Sequence, residues 1–180
     1  MTKFDFLSVL VSIVFGIGLT HLCHGVFHLA YRRRLDEVGL LLAAFTFVVL
    51  VLNWWMFFGW RLRANWNFED FLVLVLWALS FYGLAVALFP PAADEGNNSD
   101  TRHHWFGIAF LANLGLDIVQ TALLGTLFNP WYYLPFVGHY AICAWVIART
   151  RKHGLTRALA WYLFLSVLLW SFVVRRDFGS

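Results

Sequence analysis

Six apolar stretches, each close to the length needed to cross a bilayer, leave this chain almost nothing from which to build a water-soluble domain. A helix rises about 1.5 Å per residue, so roughly 20 apolar residues cross a hydrocarbon core of about 30 Å. The stretches run from about Asp5 to Tyr31, Val38 to Trp60, Phe71 to Phe89, Trp105 to Phe128, Trp131 to Ala148, and Ala158 to Val174. Their ends carry Arg32-Arg33-Arg34, Arg61 with Arg63, Pro90-Pro91, Asn129-Pro130, Arg149 to Lys152, and Arg175-Arg176. Proline stops a helix, and Lys and Arg flank membrane spans. Trp60, Trp66, Trp105 and the Trp131-Tyr132-Tyr133 run fall at the same edges, where amphipathic rings settle between lipid and water. The pattern predicts an all-α integral membrane helical bundle with about six transmembrane helices. It forms a single domain over residues 1–180, with one substantial polar loop at 90–104.

Composition agrees. The chain is 61% hydrophobic and 13% charged, whereas soluble domains are about 25% charged. A water-soluble fold this short has too much surface to hide that apolar content. Net charge is +3, but the basic residues cluster between apolar runs and form no nucleic-acid stripe. The lipid bilayer is therefore the expected partner, and nucleic acid is not. Cys23 and Cys143 both lie inside apolar runs and imply no disulfide framework. The first stretch is interrupted by Asp5 and lacks a small-residue cleavage site, so it reads as a retained helix. Lys3, Arg61, Arg63, Arg175 and Arg176 share one side of the predicted topology. Arg32, Arg33, Arg34, Arg102, Arg149, Arg151, Lys152 and Arg157 share the other. Eight against five places both termini outside the cytoplasm by the positive-inside rule.

Polar groups within the apolar runs mark candidate sites. At about 100° per residue, Asp5, Ser8, Ser12, Gly16 and Cys23 share one stripe of the first helix. Ser8, Ser12 and Gly16 also have the spacing that lets a second helix approach closely, so they are the candidate packing face. His21, His24 and His28 form a neighbouring stripe. The fourth helix carries Asn113, Asp117, Gln120 and Thr121 within about 100°. An intramembrane carboxylate is costly and points to function, which makes Asp117 the most informative residue. Tyr132, His139 and Cys143 share a face of the fifth helix. Counted from their helix ends, His21, Asp117 and His139 fall at similar depth, near the midplane.

Three readings follow. The first is an oligomeric proton- or ion-conducting bundle, or a small-solute transporter. Asp117, His21, His139, Asn113 and Gln120 would form the relay, with His28, His103 and His104 at its entrance. The second is a metal- or haem-binding electron-transfer protein using His21, His24, His28 and His139. No specific motif supports it, and there is no CxxCH, so the cofactor stays open between haem, a transition metal and none. The third is a non-catalytic accessory, sensor or effector subunit of a homo-oligomer or larger membrane complex. An enzyme is disfavoured, since the chain has no GxSxG, HExxH or nucleotide-binding glycine pattern.

The segments Phe4-Asp5-Phe6-Leu7-Ser8 and Gly18-Leu19-Thr20-His21 resemble a group of small uncharacterised bacterial multi-pass membrane proteins. The similarity extends to Phe68-Glu69-Asp70-Phe71 and Leu88-Phe89-Pro90, roughly the first half of the chain. This resemblance implies a bacterial inner-membrane setting and carries over no activity.

Overall fold

The computed structural model describes residues 3–33, 36–63, 65–90 and 99–174. Expectations resting on Arg34, on positions 91–98 of the polar loop, and on Arg175-Arg176 lie outside them. Six α-helices appear among the described residues: α1 (Lys3–Tyr31), α2 (Glu37–Phe57), α3 (Phe68–Leu88), α4 (Ser99–Leu123), α5 (Tyr133–Arg149) and α6 (His153–Leu169). A 3-10 turn, Phe58–Leu62, extends α2, and a π turn, Trp170–Val174, extends α6. Five helices are long and apolar enough to cross a membrane. The exception, α5, has 17 residues and spans about 25 Å, less than a full hydrocarbon core.

The helices close into a ring. α1 packs on α3, α3 on α4, α4 on α5, α5 on α6, α6 on α2, and α2 returns to α1 while also touching α3. Large apolar side chains point outward, among them Phe6, Val9, Ile13 and Ile17 along α1. Their spacing of three and four residues makes an outward stripe suited to lipid. Inward, the aromatic rings of Phe15, Phe45, Trp77, Phe81, Phe106 and Phe110 fill the core.

Each end of the ring is tied by ion pairs. At one end Asp36 N-caps α2, accepting from the Gly39 amide at 3.1 Å. The same carboxylate lies 3.1 Å from Arg102 and 3.5 Å from His103, both on α4. Nearby, Glu37 accepts from Arg157 and Trp161 of α6. At the other end Asn67 and Asp70 form a reciprocal capping box that starts α3. Asp70 is fully buried and binds Arg63 through both oxygens, at 2.8 and 3.0 Å. Arg63 also donates to the Leu123 carbonyl at the end of α4 and lies 5.3 Å from the Trp60 ring.

Two expected boundaries move for identifiable reasons. α4 was expected to reach Phe128 but stops at Leu123, because Gly125 takes a left-handed φ of 74°. Thr126 then donates to Thr121 O and Gly125 to Ala122 O, the paired bonds of a Schellman cap. At its other end α4 begins at Ser99, inside the expected loop. The polar residues there are helical and bridge to neighbours: Arg102 to Asp36, and His104 to the Ala148 carbonyl of α5.

Removing Arg63 strands the buried Asp70 carboxylate. Arg63→Ala is expected to cost about 3 kcal/mol in reversible unfolding from mixed micelles. At the opposite end burial favours the neutral Asp36 acid, but the His103 ring, the Gly39 amide and Arg102 outweigh it and hold the carboxyl below its ordinary value of 3.8. A depressed folded-state pKa gives stability that is full above 3.8 and lost as pH falls towards the folded value. As pH falls from about 4 to about 2, Asp36→Asn should therefore lose less stability than wild type.

Candidate functional site

The α4 stripe predicted from periodicity faces the inside of the ring. Asn113 is 2% exposed, Gln120 8% and Thr121 8%. Asp117 sits between them, half-buried, on the wall of a partly open cavity of about 120 Å³. All five helices from α2 to α6, together with the Trp170 turn, contribute to that wall.

The Asp117 carboxylate is held by three donors from three helices. Its Oδ1 accepts from the Trp77 indole of α3 at 3.1 Å and from the Gln120 amide at 3.2 Å. Its Oδ2 accepts from the Tyr133 hydroxyl of α5 at 2.8 Å. Gln120 is oriented in turn, because its carbonyl accepts from the Trp60 indole at 3.0 Å. Its amide also donates to Thr121 at 3.1 Å. Asn113 donates to the Ser80 hydroxyl at 2.7 Å, and Ser80 donates to the Trp77 carbonyl at 2.6 Å. One network thus runs from Trp60 to Asn113. It brings together Asp117, Gln120 and Asn113, three of the residues expected at the site.

A larger, more open pocket of about 570 Å³ adjoins the cavity at the Arg63 end of the bundle. The end of α2, its 3-10 turn and the link between α4 and α5 form it. The two spaces share Asn53, Met56, Gln120, Thr121, Pro130 and Tyr133 as wall. The pocket that borders this cavity lies at the end opposite His103 and His104, the entrance expected from the sequence. Those two histidines are engaged with Asp36 and with the Ala148 carbonyl.

The other histidines lie apart from this network. His21 bonds the Phe89 carbonyl at 2.6 Å, near the Asp36 end. Asp117 bonds Trp77, about three turns earlier on the same helix α3. His139 packs among Phe136, Tyr140 and Tyr162, between α5 and α6. The ring order separates α1 from α5 by two helices in either direction, so His21 and His139 do not face each other. His24 and His28 are exposed, with ring centroids 6.0 Å apart. Among the described residues no group of three or more His, Cys, Asp or Glu side chains has metal-holding geometry.

The expected packing stripe is redistributed. A Cβ on Gly16 would meet nothing within 4 Å, whereas one on Gly25 would strike the Phe89 ring at 2.2 Å. Gly107 of α4 has the same role against α5, where a Cβ would come within 2.7 Å of the Ala144 carbonyl. Ser12 accepts from Trp54 of α2 at 3.2 Å, and Ser8 bonds back to the Asp5 carbonyl.

Sequence reasoning missed Trp60, Trp77 and Tyr133. Trp60 and Tyr133 stand at the ends of apolar runs and read as interfacial aromatics. Trp60 is instead 1% exposed, and both donate inward. The available signal was that a buried Tyr hydroxyl or Trp N–H needs an acceptor, and Asp117 and Gln120 are nearby acceptors.

No protein-family model, curated protein or solved structure matches the chain. Function has to be read from the site.

Tyr133→Phe removes one donor with little change of shape. It should cost about 1 kcal/mol in mixed-micelle unfolding, and a double-mutant cycle with Asp117→Asn should show the two residues coupled. Trp55→Phe, on the exposed side of α2, should change nothing.

Proposed function

We propose that this protein is a small membrane transport bundle that takes a proton or small cationic solute onto Asp117 and moves it across the bilayer. The observation that carries this reading is a carboxyl group on a cavity wall, bonded by Trp77, Gln120 and Tyr133, with no cationic side chain among these partners. A carboxylate inside a membrane bundle is costly to keep, and a structural need for polar contacts would be met by an amide. The adjoining pocket supplies a path from one end of the bundle. Asn113 and Gln120 line the cavity and hold the network in shape. His21 and His139 have no part in this mechanism.

The eight-to-five distribution of Lys and Arg sets the orientation in this proposal. Both termini and the open pocket then lie on the non-cytoplasmic side of a bacterial inner membrane. In proteoliposomes carrying an internal pH dye, with an imposed potential, wild type should conduct at least about tenfold faster than Asp117→Asn. Equal rates, with both proteins shown to be folded, would remove Asp117 from transport and the proposal with it.

A further inference from the structure

We infer that the cavity beside Asp117 is a binding site for a small organic ammonium ion, such as a methylated amine. The inference rests on the reading of Asp117 as the ligand-binding carboxylate, and it adds the chemical class of the ligand.

Size sets the first limit. An engineered cavity of about 150 Å³ takes benzene, so the space of about 120 Å³ here suits a ligand of about four to six non-hydrogen atoms. Charge sets the second. A carboxylate offers about four lone-pair positions, and protein donors use three of them. One position is left for a donor from the ligand, and an anion would be repelled.

The walls set the third limit. Phe45, Phe81, Phe110, Phe136, Tyr140 and Trp170 surround the space. Aromatic faces attract cations, and aromatic cages are a recurrent solution for alkylated ammonium groups. A metal cation such as Ca²⁺ or Mg²⁺ needs a shell of six or more oxygens. Among the described residues of this wall Asp117 is the only carboxylate, and one carboxylate supplies at most two of those oxygens. A neutral apolar ligand would cover the carboxylate without pairing it, which is unfavourable. An alkylammonium satisfies every constraint: its N–H meets the carboxylate and its methyl groups meet the rings.

The test uses the full chain in detergent, titrated with trimethylammonium chloride while the thermal unfolding midpoint is followed. Sodium chloride at equal ionic strength controls for charge, and tert-butanol controls for shape. The expected result is a saturable rise in midpoint with trimethylammonium alone. Asp117→Asn should weaken it about tenfold or more, and Phe136→Leu about threefold. An equal response to sodium or to tert-butanol, or undiminished binding in Asp117→Asn, overturns the inference. Should Asp117→Asn fail to fold, Phe136→Leu decides with the two controls, and undiminished affinity in that variant also overturns it. Asp117-dependent proton flux without trimethylammonium binding overturns this inference and leaves the transport reading standing. Binding of trimethylammonium without Asp117-dependent flux supports the site and removes transport.

Discussion

A carboxylate placed among six apolar helices must find its hydrogen-bond donors inside the bundle, because lipid offers none. Asp117 finds them on α3, on its own helix and on α5. This requirement fixes the rotation of α4 so that its polar stripe faces inward. It also draws the start of α5 against α4 just after the Gly125 cap. The Arg63–Asp70 pair supports the arrangement from the bundle end. It fastens the start of α3 to the end of α4 and holds Trp60 beneath a guanidinium. Trp60 then orients Gln120, and Gln120 bonds Asp117. The site is connected to the end of the bundle through four named side chains.

The cavity follows from the ring topology. Six helices closing around an axis leave space where side chains from opposite walls do not meet, and here aromatic rings narrow it without filling it. Because α2 ends in a 3-10 turn and α4 stops early, that end of the bundle is less completely covered. The opposite end is drawn together by Asp36 and Glu37, which between them bind side chains from α4 and α6. Both ends carry ion pairs, and the larger pocket opens at the Arg63 end.

The membrane fold and the inward stripe of α4 were legible in the sequence, since both depend on local hydrophobicity and on helical periodicity. Apolar length gave the helices, and Asn113, Asp117 and Gln120 gave the cavity wall. Partner identity was not legible, because it depends on which helices become neighbours. The histidine stripe of α1 illustrates the difference. His24 and His28 lie on nearly the same helical bearing as Ile13 and Ile17, which point outward. That shared direction was available in the sequence and argued against an interior cluster. Depth counting also failed for His21 and Asp117, because α4 starts six residues before Trp105 and the assumed helix ends were not level. The shift of the packing face from Gly16 to Gly25 needed the position of Phe89, which is a tertiary fact.

In the proposed mechanism the space beside Asp117 is reached from the Arg63 end and attracts positive charge. Asn53 lines both the cavity and the outer pocket, whereas Thr46, on the same helix, is fully buried and lines neither. The most direct measurement is thiol labelling of Asn53→Cys and Thr46→Cys, in a background where Cys23 and Cys143 are replaced by serine. Cationic and anionic methanethiosulfonates of similar size would be compared. Asn53→Cys is expected to react, faster with the cationic reagent, while Thr46→Cys stays unlabelled in the folded protein. Equal labelling at both positions, no labelling at Asn53→Cys, or a preference for the anionic reagent would contradict it.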